Sequence, residues 1–196
     1  MHVEQMKQRV LKVAKDCYES RLMVWSSGNV SEYDSEAGVM AITPSGLLYD
    51  NLTQDDIVLI RLDGSIVEGK HKPSSEWKMH SEIYASLPEV HGIVHTHSPF
   101  LTAFSIVRRP IPGVLVEMST LLKGGISVCG FAPNGSVELG EYAAAALKTS
   151  SVCIMSNHGA VAVGKDMMEA HKRAVYAEDA AKAYYYALNL GEPVII

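Results

Sequence analysis

The sequence predicts an α/β fold, and three observations predict it. Helical periodicity marks both ends of the chain, apolar runs too short for helices recur between them, and an Asp63-Gly64 pair joins two such runs as an antiparallel hairpin. With 196 residues the chain buries a substantial core without disulfide staples. No repeat, low-complexity tract or linker divides it, so residues 1–196 read as one domain.

Composition sets outer limits on function. A net charge of −5 with no block of Lys or Arg argues against a nucleic-acid partner, yet leaves room for a small phosphate in a local pocket. The N-terminus carries Glu4 and Lys7 where a secretory signal has an apolar segment, and no apolar run approaches the roughly 20 residues of a membrane span. The expectation is a cytoplasmic protein with no membrane partner. Cys17, Cys129 and Cys153, odd in number and set among apolar residues, read as buried free thiols of a reducing compartment.

Residues 3–22 place Met6, Val10, Val13, Ala14 and Cys17 on one face, the pattern of a helix half-buried against a core. The loop Trp25-Ser26-Ser27-Gly28-Asn29 leads into a short strand ending near Tyr33. Gly28 tolerates positive φ and close backbone approach, while Ser27 and Asn29 offer donors. The loop suits either a plain connection or the holding of an anion. A turn at residues 34–38 opens a second strand, Val39 to Thr43, running into Pro44-Ser45-Gly46. Residues 57–62 and 65–68 flank Asp63-Gly64, a pair suited to a type I′ turn.

Pro73-Ser74-Ser75-Glu76 precedes the helical pattern Trp77, His80, Tyr84, Leu87. Either serine fits an N-cap, with Glu76 in the first turn near the positive end of the helix dipole. The alternative is functional: the helix N-terminus and two hydroxyls bind a phosphate while Glu76 serves as a base. Next, the apolar run 90–94 carries into His95-Thr96-His97, a strand that Ser98-Pro99 closes. Alternation in a strand puts His95 and His97 on one face with Cα atoms roughly 6.6 Å apart, a spacing that lets two imidazoles meet one cation.

Residues 100–107 read as a helix ended by Arg108-Arg109-Pro110. Residues 114–118 resemble a strand with Glu117 inside an apolar segment, either a surface charge or a functional acid. Lys123-Gly124-Gly125 breaks the chain before a strand at 126–129, and residues 138–148 form an Ala-rich helix. The run 151–156 reads as a strand covered on both faces that delivers Asn157-His158-Gly159, with His158 a candidate third ligand and Gly159 permitting a sharp turn. Met167, Ala170, Ala174, Ala177, Ala181, Tyr184 and Leu188 complete one helical stripe up to Gly191.

Gly28-Asn29, Thr43-Pro44-Ser45-Gly46, Pro73-Ser74-Ser75-Glu76, His95-Thr96-His97 and Asn157-His158-Gly159 occur in an order and at spacings that resemble the class II aldolase/adducin family. The resemblance spans nearly the whole chain and is most like members that act on L-fuculose 1-phosphate. It implies a three-layer α/β/α fold around a largely antiparallel sheet, assembled as a C4 homotetramer with sites at subunit interfaces. It implies a lyase of carbohydrate metabolism that splits a ketose 1-phosphate, L-fuculose 1-phosphate or a related 5-deoxyketose 1-phosphate, into dihydroxyacetone phosphate and an aldehyde. By the same resemblance His95, His97 and His158 hold a divalent cation, zinc or else manganese, cobalt or iron. Glu76 is then a resting fourth ligand that swings away to act as acid/base, and Gly28, Asn29, Ser45, Gly46, Ser74 and Ser75 cradle the phosphate of the sugar substrate.

Two departures from the family pattern stand out. Glu117 occupies the position where the fuculose enzymes carry a tyrosine donated by a neighbouring subunit, so the second acid/base is expected to be Glu117 reaching a neighbour's site. A carboxylate there resembles the family's sugar-phosphate 4-epimerases and methylthioribulose-1-phosphate dehydratases, which stand as alternative activities. An adducin-like interaction module without chemistry is the non-enzymatic alternative. The second departure is at the end: the fuculose enzymes continue into an aromatic-bearing tail, whereas this sequence closes at Pro193-Val194-Ile195-Ile196.

Overall fold

The computed structural model describes residues 2–196, so Met1, which the one-domain expectation includes, lies outside the described residues. In chain order the elements are α1 (His2–Glu19), β1 (Asn29–Asp34), β2 (Val39–Ile42), β3 (Val58–Ile60), β4 (Ile66–Glu68), α2 (Trp77–Ser86), β5 (Gly92–Thr96), α3 (Pro99–Ile106), α4 (Val116–Leu121), β6 (Ser127–Cys129), α5 (Val137–Leu147), β7 (Val152–Met155), β8 (Gly159–Gly164) and α6 (Met167–Leu190). The strands form one sheet in the order β4-β3-β2-β1-β5-β8-β7-β6. Among the described residues only β6 and β7 pair parallel, so the fold is α/β with a mostly antiparallel sheet, as expected.

Strand alternation feeds two cores. Ala41, Leu59, Val94, Ile154 and Ala162 join the apolar faces of α1, α3 and α6, whereas Ile42, Ile60, Ile93, Cys153 and Val161 join those of α2 and α5. Each fully buried Val, Leu or Ile among these contributes about 1.5–3 kcal/mol, so both faces of the central strands are strongly held in register. The alanine stripe of α6 is buried, and the glycines bounding β5 and β8 let that helix approach. A Cβ on Gly92 would sit 2.6 Å from Asp166 O, and one on Gly164 would sit 2.4 Å from Ala170 N. The three cysteines are free and buried, as expected.

Four local expectations are corrected. The first helix stops at Glu19 because Arg21 turns left-handed (φ 61°) and the N–H groups of Leu22 and Met23 turn back onto Cys17 O. At Asp63-Gly64 only Gly64 has positive φ (85°); Gly64 N–H bonds Arg61 O and Arg61 N–H bonds Ser65 O. That is a three-residue loop with a left-handed glycine, not a type I′ turn. Residues 114–118 are not a strand: Met118 and Leu122 are the buried pair, four apart, and that spacing makes the segment the helix α4 with Glu117 exposed. Finally β8, the fully buried partner of β5, lies in a Gly- and Ala-rich stretch whose low β-propensity gave no strand signal.

Candidate functional site

Three strands and one loop bring four predicted side chains together. β5 carries His95, and His97 follows directly after its end. The turn between β7 and β8 carries His158, and the loop before α2 carries Glu76. One ligand atom from each lies within 4.8 Å of all the others. His95 Nε2 stands 3.1 Å from His97 Nε2 and 3.0 Å from Glu76 Oε2, and His158 Nε2 stands 3.4 Å from Glu76 Oε1. The three rings meet edge-on, with centroids 4.9 to 5.0 Å apart.

Local geometry explains the convergence. His95 Nδ1 lies 3.0 Å from Ala160 O; as the N–H donor it leaves the Nε2 lone pair facing inward, the arrangement by which backbone carbonyls orient metal-ligating histidines. The sharp turn at His158 is made by Asn157 (φ 55°) and not, as expected, by Gly159. Arg108 donates to Asn157 Oδ1 at 2.9 and 3.1 Å, and Asn157 N–H bonds Ser105 O, so α3 pins this turn. Gly159 instead permits close approach, since a Cβ there would lie 2.3 Å from Thr96 O and 3.1 Å from the His97 ring, forcing the ligand strands apart. The first N–H groups of α3 bond Glu178 of α6, which anchors the chain just past His97.

Glu76 precedes α2 instead of lying in its first turn, and neither serine caps the helix through its side chain. Ser74 Oγ accepts the N–H of Glu76, which frees the carboxylate to turn onto the histidines. Burial alone would push that carboxyl up, but His95 and His158 beside it hold it well below the usual carboxylate range. Burial pushes His97 and His158 down to about 4, helped by the neighbouring His95. His95, although buried, is held above its ordinary value by Glu76.

Glu76 Oε1 is buried with no hydrogen-bond partner. A closed set of three imidazole nitrogens and one carboxylate, two rings neutral near pH 7 and one oxygen unsatisfied, fits a divalent cation of borderline softness. The group could therefore hold a metal ion.

The six residues expected at a phosphate, Gly28, Asn29, Ser45, Gly46, Ser74 and Ser75, all line one cleft of about 110 Å³ that also reaches Glu76 and His97. Gly28 and Gly46 are left-handed (φ 79° and 74°), and a Cβ on Gly28 would lie 2.7 Å from His95 O, so glycine is needed where this loop crosses the ligand strand. No Lys or Arg lines the cleft; N–H groups, hydroxyls and an amide do. A larger surface cleft, about 410 Å³ at Glu32, Asp34 and His91, contains none of the converging groups.

Sequence reasoning missed Ser26 and Asn134, which also line the smaller cleft; the Asn134-Gly135 turn pair was the available signal. It also missed His80, one helical turn beyond Glu76 and bonded to Asn29. Glu117 lies outside both the four-residue cluster and the cleft.

Comparisons with known proteins agree on a family. Residues 8–185 match the model described as class II aldolase and adducin N-terminal domain. The chain is 36% identical over 171 residues to the 5-methylthioribulose-1-phosphate/5-deoxyribulose-1-phosphate aldolase of Rhodospirillum rubrum, covering 87% of this chain and 76% of that one. It is also 36% identical over 180 residues to an L-fuculose phosphate aldolase of Methanococcus maripaludis, covering 92% and 96%. Among solved structures, an L-fuculose 1-phosphate aldolase superposes with a TM-score of 0.93 at 33% identity, over 98% of this chain and 90% of that one.

Proposed function

The chain belongs to the class II aldolase and adducin N-terminal domain family, and on that premise we propose that it is a metal-dependent aldolase, a carbon–carbon lyase of ketose 1-phosphates. The substrate is L-fuculose 1-phosphate or a related 5-deoxyketose 1-phosphate, cleaved reversibly to dihydroxyacetone phosphate and an aldehyde. The names of the relatives support both candidates. The observation that carries the reading is the meeting of His95, His97, His158 and Glu76 at the rim of an anion-sized cleft.

In this reading Gly28, Asn29, Ser45, Gly46, Ser74 and Ser75 hold the phosphate through neutral donors at the start of α2, which fixes the sugar without a charged side chain. A divalent cation, zinc or in its place manganese, cobalt or iron, would be held by His95, His97 and His158 with Glu76 as resting fourth ligand. Bound there, it supplies Lewis-acid stabilisation of the charge that develops on the ketone oxygen. A base takes the hydroxyl proton at the carbon that becomes the aldehyde. The O–H pair becomes the new C=O bond, and the breaking C–C pair passes to the dihydroxyacetone phosphate half. Glu76, displaced from its resting place and having taken a proton from solvent, then delivers it to that carbon. The base is Glu117 from a neighbouring subunit, consistent with its exposed place on α4.

That role requires assembly, and a homotetramer with sites at subunit interfaces is part of the proposal. So are a single domain over 1–196, a three-layer arrangement, supported by the two cores on opposite sheet faces, and a cytoplasmic location. Among the described residues no helix is long and apolar enough to cross a membrane. The test is product analysis over a panel of ketose 1-phosphates. Release of dihydroxyacetone phosphate is expected; a product with its carbon chain intact, epimerised or dehydrated, would replace the aldolase reading.

A further inference from the structure

Behind Glu76 runs a line of buried polar groups of which only Asn29, at the phosphate cleft, has a place in the reading above. Asn29 Nδ2 donates to Glu76 Oε2 at 2.7 Å, and Asn29 Oδ1 faces His80 Nε2 at 2.5 Å. On the other side of the ring, His80 Nδ1 lies 2.6 Å from Ser31 Oγ. Ser31 Oγ is in turn 2.8 Å from the Tyr84 hydroxyl, which also lies 2.9 Å from Ser31 O. Asn29, Ser31, His80 and Tyr84 are all buried, Ser31 and His80 completely.

Donor and acceptor chemistry allows one direction along this line. The Glu76 carboxylate only accepts, so the Asn29 amide nitrogen must face it and the amide oxygen must face His80. His80 Nε2 must therefore carry the ring proton. A fully buried imidazolium without a carboxylate at either nitrogen is costly, so the ring is neutral and Nδ1 accepts from Ser31 Oγ–H. Ser31 spends its only proton there, and Tyr84 O–H must donate toward Ser31. The Ser31, His80 and Asn29 protons all point toward Glu76.

We propose that His80 is a positioning residue, locked as the Nε2–H tautomer, that stops the Asn29 amide from turning over and so sets the resting orientation from which Glu76 leaves the histidines. The inference rests on Glu76 as the proton carrier of the proposed reaction. If the amide turned, its oxygen would oppose the carboxylate and its nitrogen would oppose the His80 N–H, losing both bonds at once. Asn29 also lines the phosphate cleft, so the same lock sets the amide that substrate meets. His80 thereby sets both the resting place of the proton carrier and the amide at the anion cleft through one network inside the fold.

The test has two arms. Histidine ¹⁵N NMR on the zinc-loaded and the metal-free protein, with the His80 signal assigned by its absence in His80→Gln, should show a neutral ring protonated at Nε2 with a slowly exchanging proton. An Nδ1–H tautomer or a ring averaging between the two would overturn the proposal. In the second arm, His80→Leu fills the space without hydrogen bonds, whereas His80→Gln can donate to Asn29 and accept from Ser31. With both variants folded, kcat should fall about 100-fold in His80→Leu, with KM changed much less, and His80→Gln should recover most of that loss. Equal losses in the two would overturn it, as would loss through KM alone. If either fails to fold, Tyr84→Phe, which removes only the last donor, should still lower kcat; an unchanged kcat would count against the relay. Should the wild-type protein cleave no ketose 1-phosphate, the functional reading fails while the NMR arm still decides the tautomer.

Discussion

The two halves of the proposed site contrast in how they are built. The inner half, His95, Glu76, Asn29 and His80, is almost wholly buried, and each member is held by another residue of the same chain. The outer half, represented by Glu117, stands exposed on a six-residue helix and lies outside both the cluster and the cleft. The inner half needs nothing but folding to be in place. In the proposed assembly the outer half would depend on what a neighbouring subunit sets beside it. Substitutions in the first should therefore disturb metal, proton carrier and fold together, whereas those in the second should disturb turnover alone.

The largest effect is expected at the centre. His95→Ala removes a candidate ligand and the imidazole 3.0 Å from Glu76, so bound divalent metal should disappear and kcat/KM should drop about 10³-fold or more, since Lewis-acid stabilisation is worth several kcal/mol. Elemental analysis beside kinetics checks both. Glu117→Gln should lower kcat about 10²-fold, the scale of a lost acid/base group, while metal content and melting temperature stay at wild-type values. A loss of metal or fold in that variant would erase the distinction between the two halves.

Gly159→Ala is expected to show that the inner half is a packing problem as well as a chemical one. Its Cβ would press on Thr96 O at 2.3 Å, an overpacking worth about 1–3 kcal/mol, and the displaced strands should weaken metal binding. Thermal denaturation and a metal titration read the two consequences separately.

The smallest effect is a pH window. Burial lowers His80 from 6.5 to about 3, so between those values the unfolded chain takes up a proton that the folded chain does not. The stability this represents is complete above about pH 6.5 and is lost as pH falls toward 3. Asp56 is depressed by the Thr53 hydroxyl, against its burial, with the Thr53 N–H, Lys70 and His71 adding to the effect, so its contribution is present above its ordinary 3.8 and lost only below that. Melting temperature should therefore begin to fall near pH 6.5, and in His80→Gln the decline between pH 6.5 and 4 should be shallower.

Legibility in the sequence follows the same division. His95 and His97 declare themselves through the two-residue period of a strand, and His158 through a run too short for a helix. The glycines and serines of the cleft sit in loops where small polar residues are conspicuous. His80 was opaque because it falls at a core position of α2, where helical periodicity treats it as one more inward residue and cannot report that Asn29, 51 residues earlier, supplies its partner. Residues 114–118 misled because a one-turn helix and a short strand look alike when only Met118 and Leu122 are anchored. β8 was silent since alanine and glycine carry little strand preference and owe their place to burial between β5 and β7. The turn at Asn157 depends on Arg108 from another element, a contact no local pattern encodes.

Cleavage of a ketose 1-phosphate should depend on a divalent cation held by the three histidines and Glu76. The most direct measurement is dihydroxyacetone phosphate release from such a substrate before chelation, after it, and after zinc is restored. Activity should vanish on stripping and return with the metal at one ion per chain. Undiminished release from the metal-free protein would rule out that dependence.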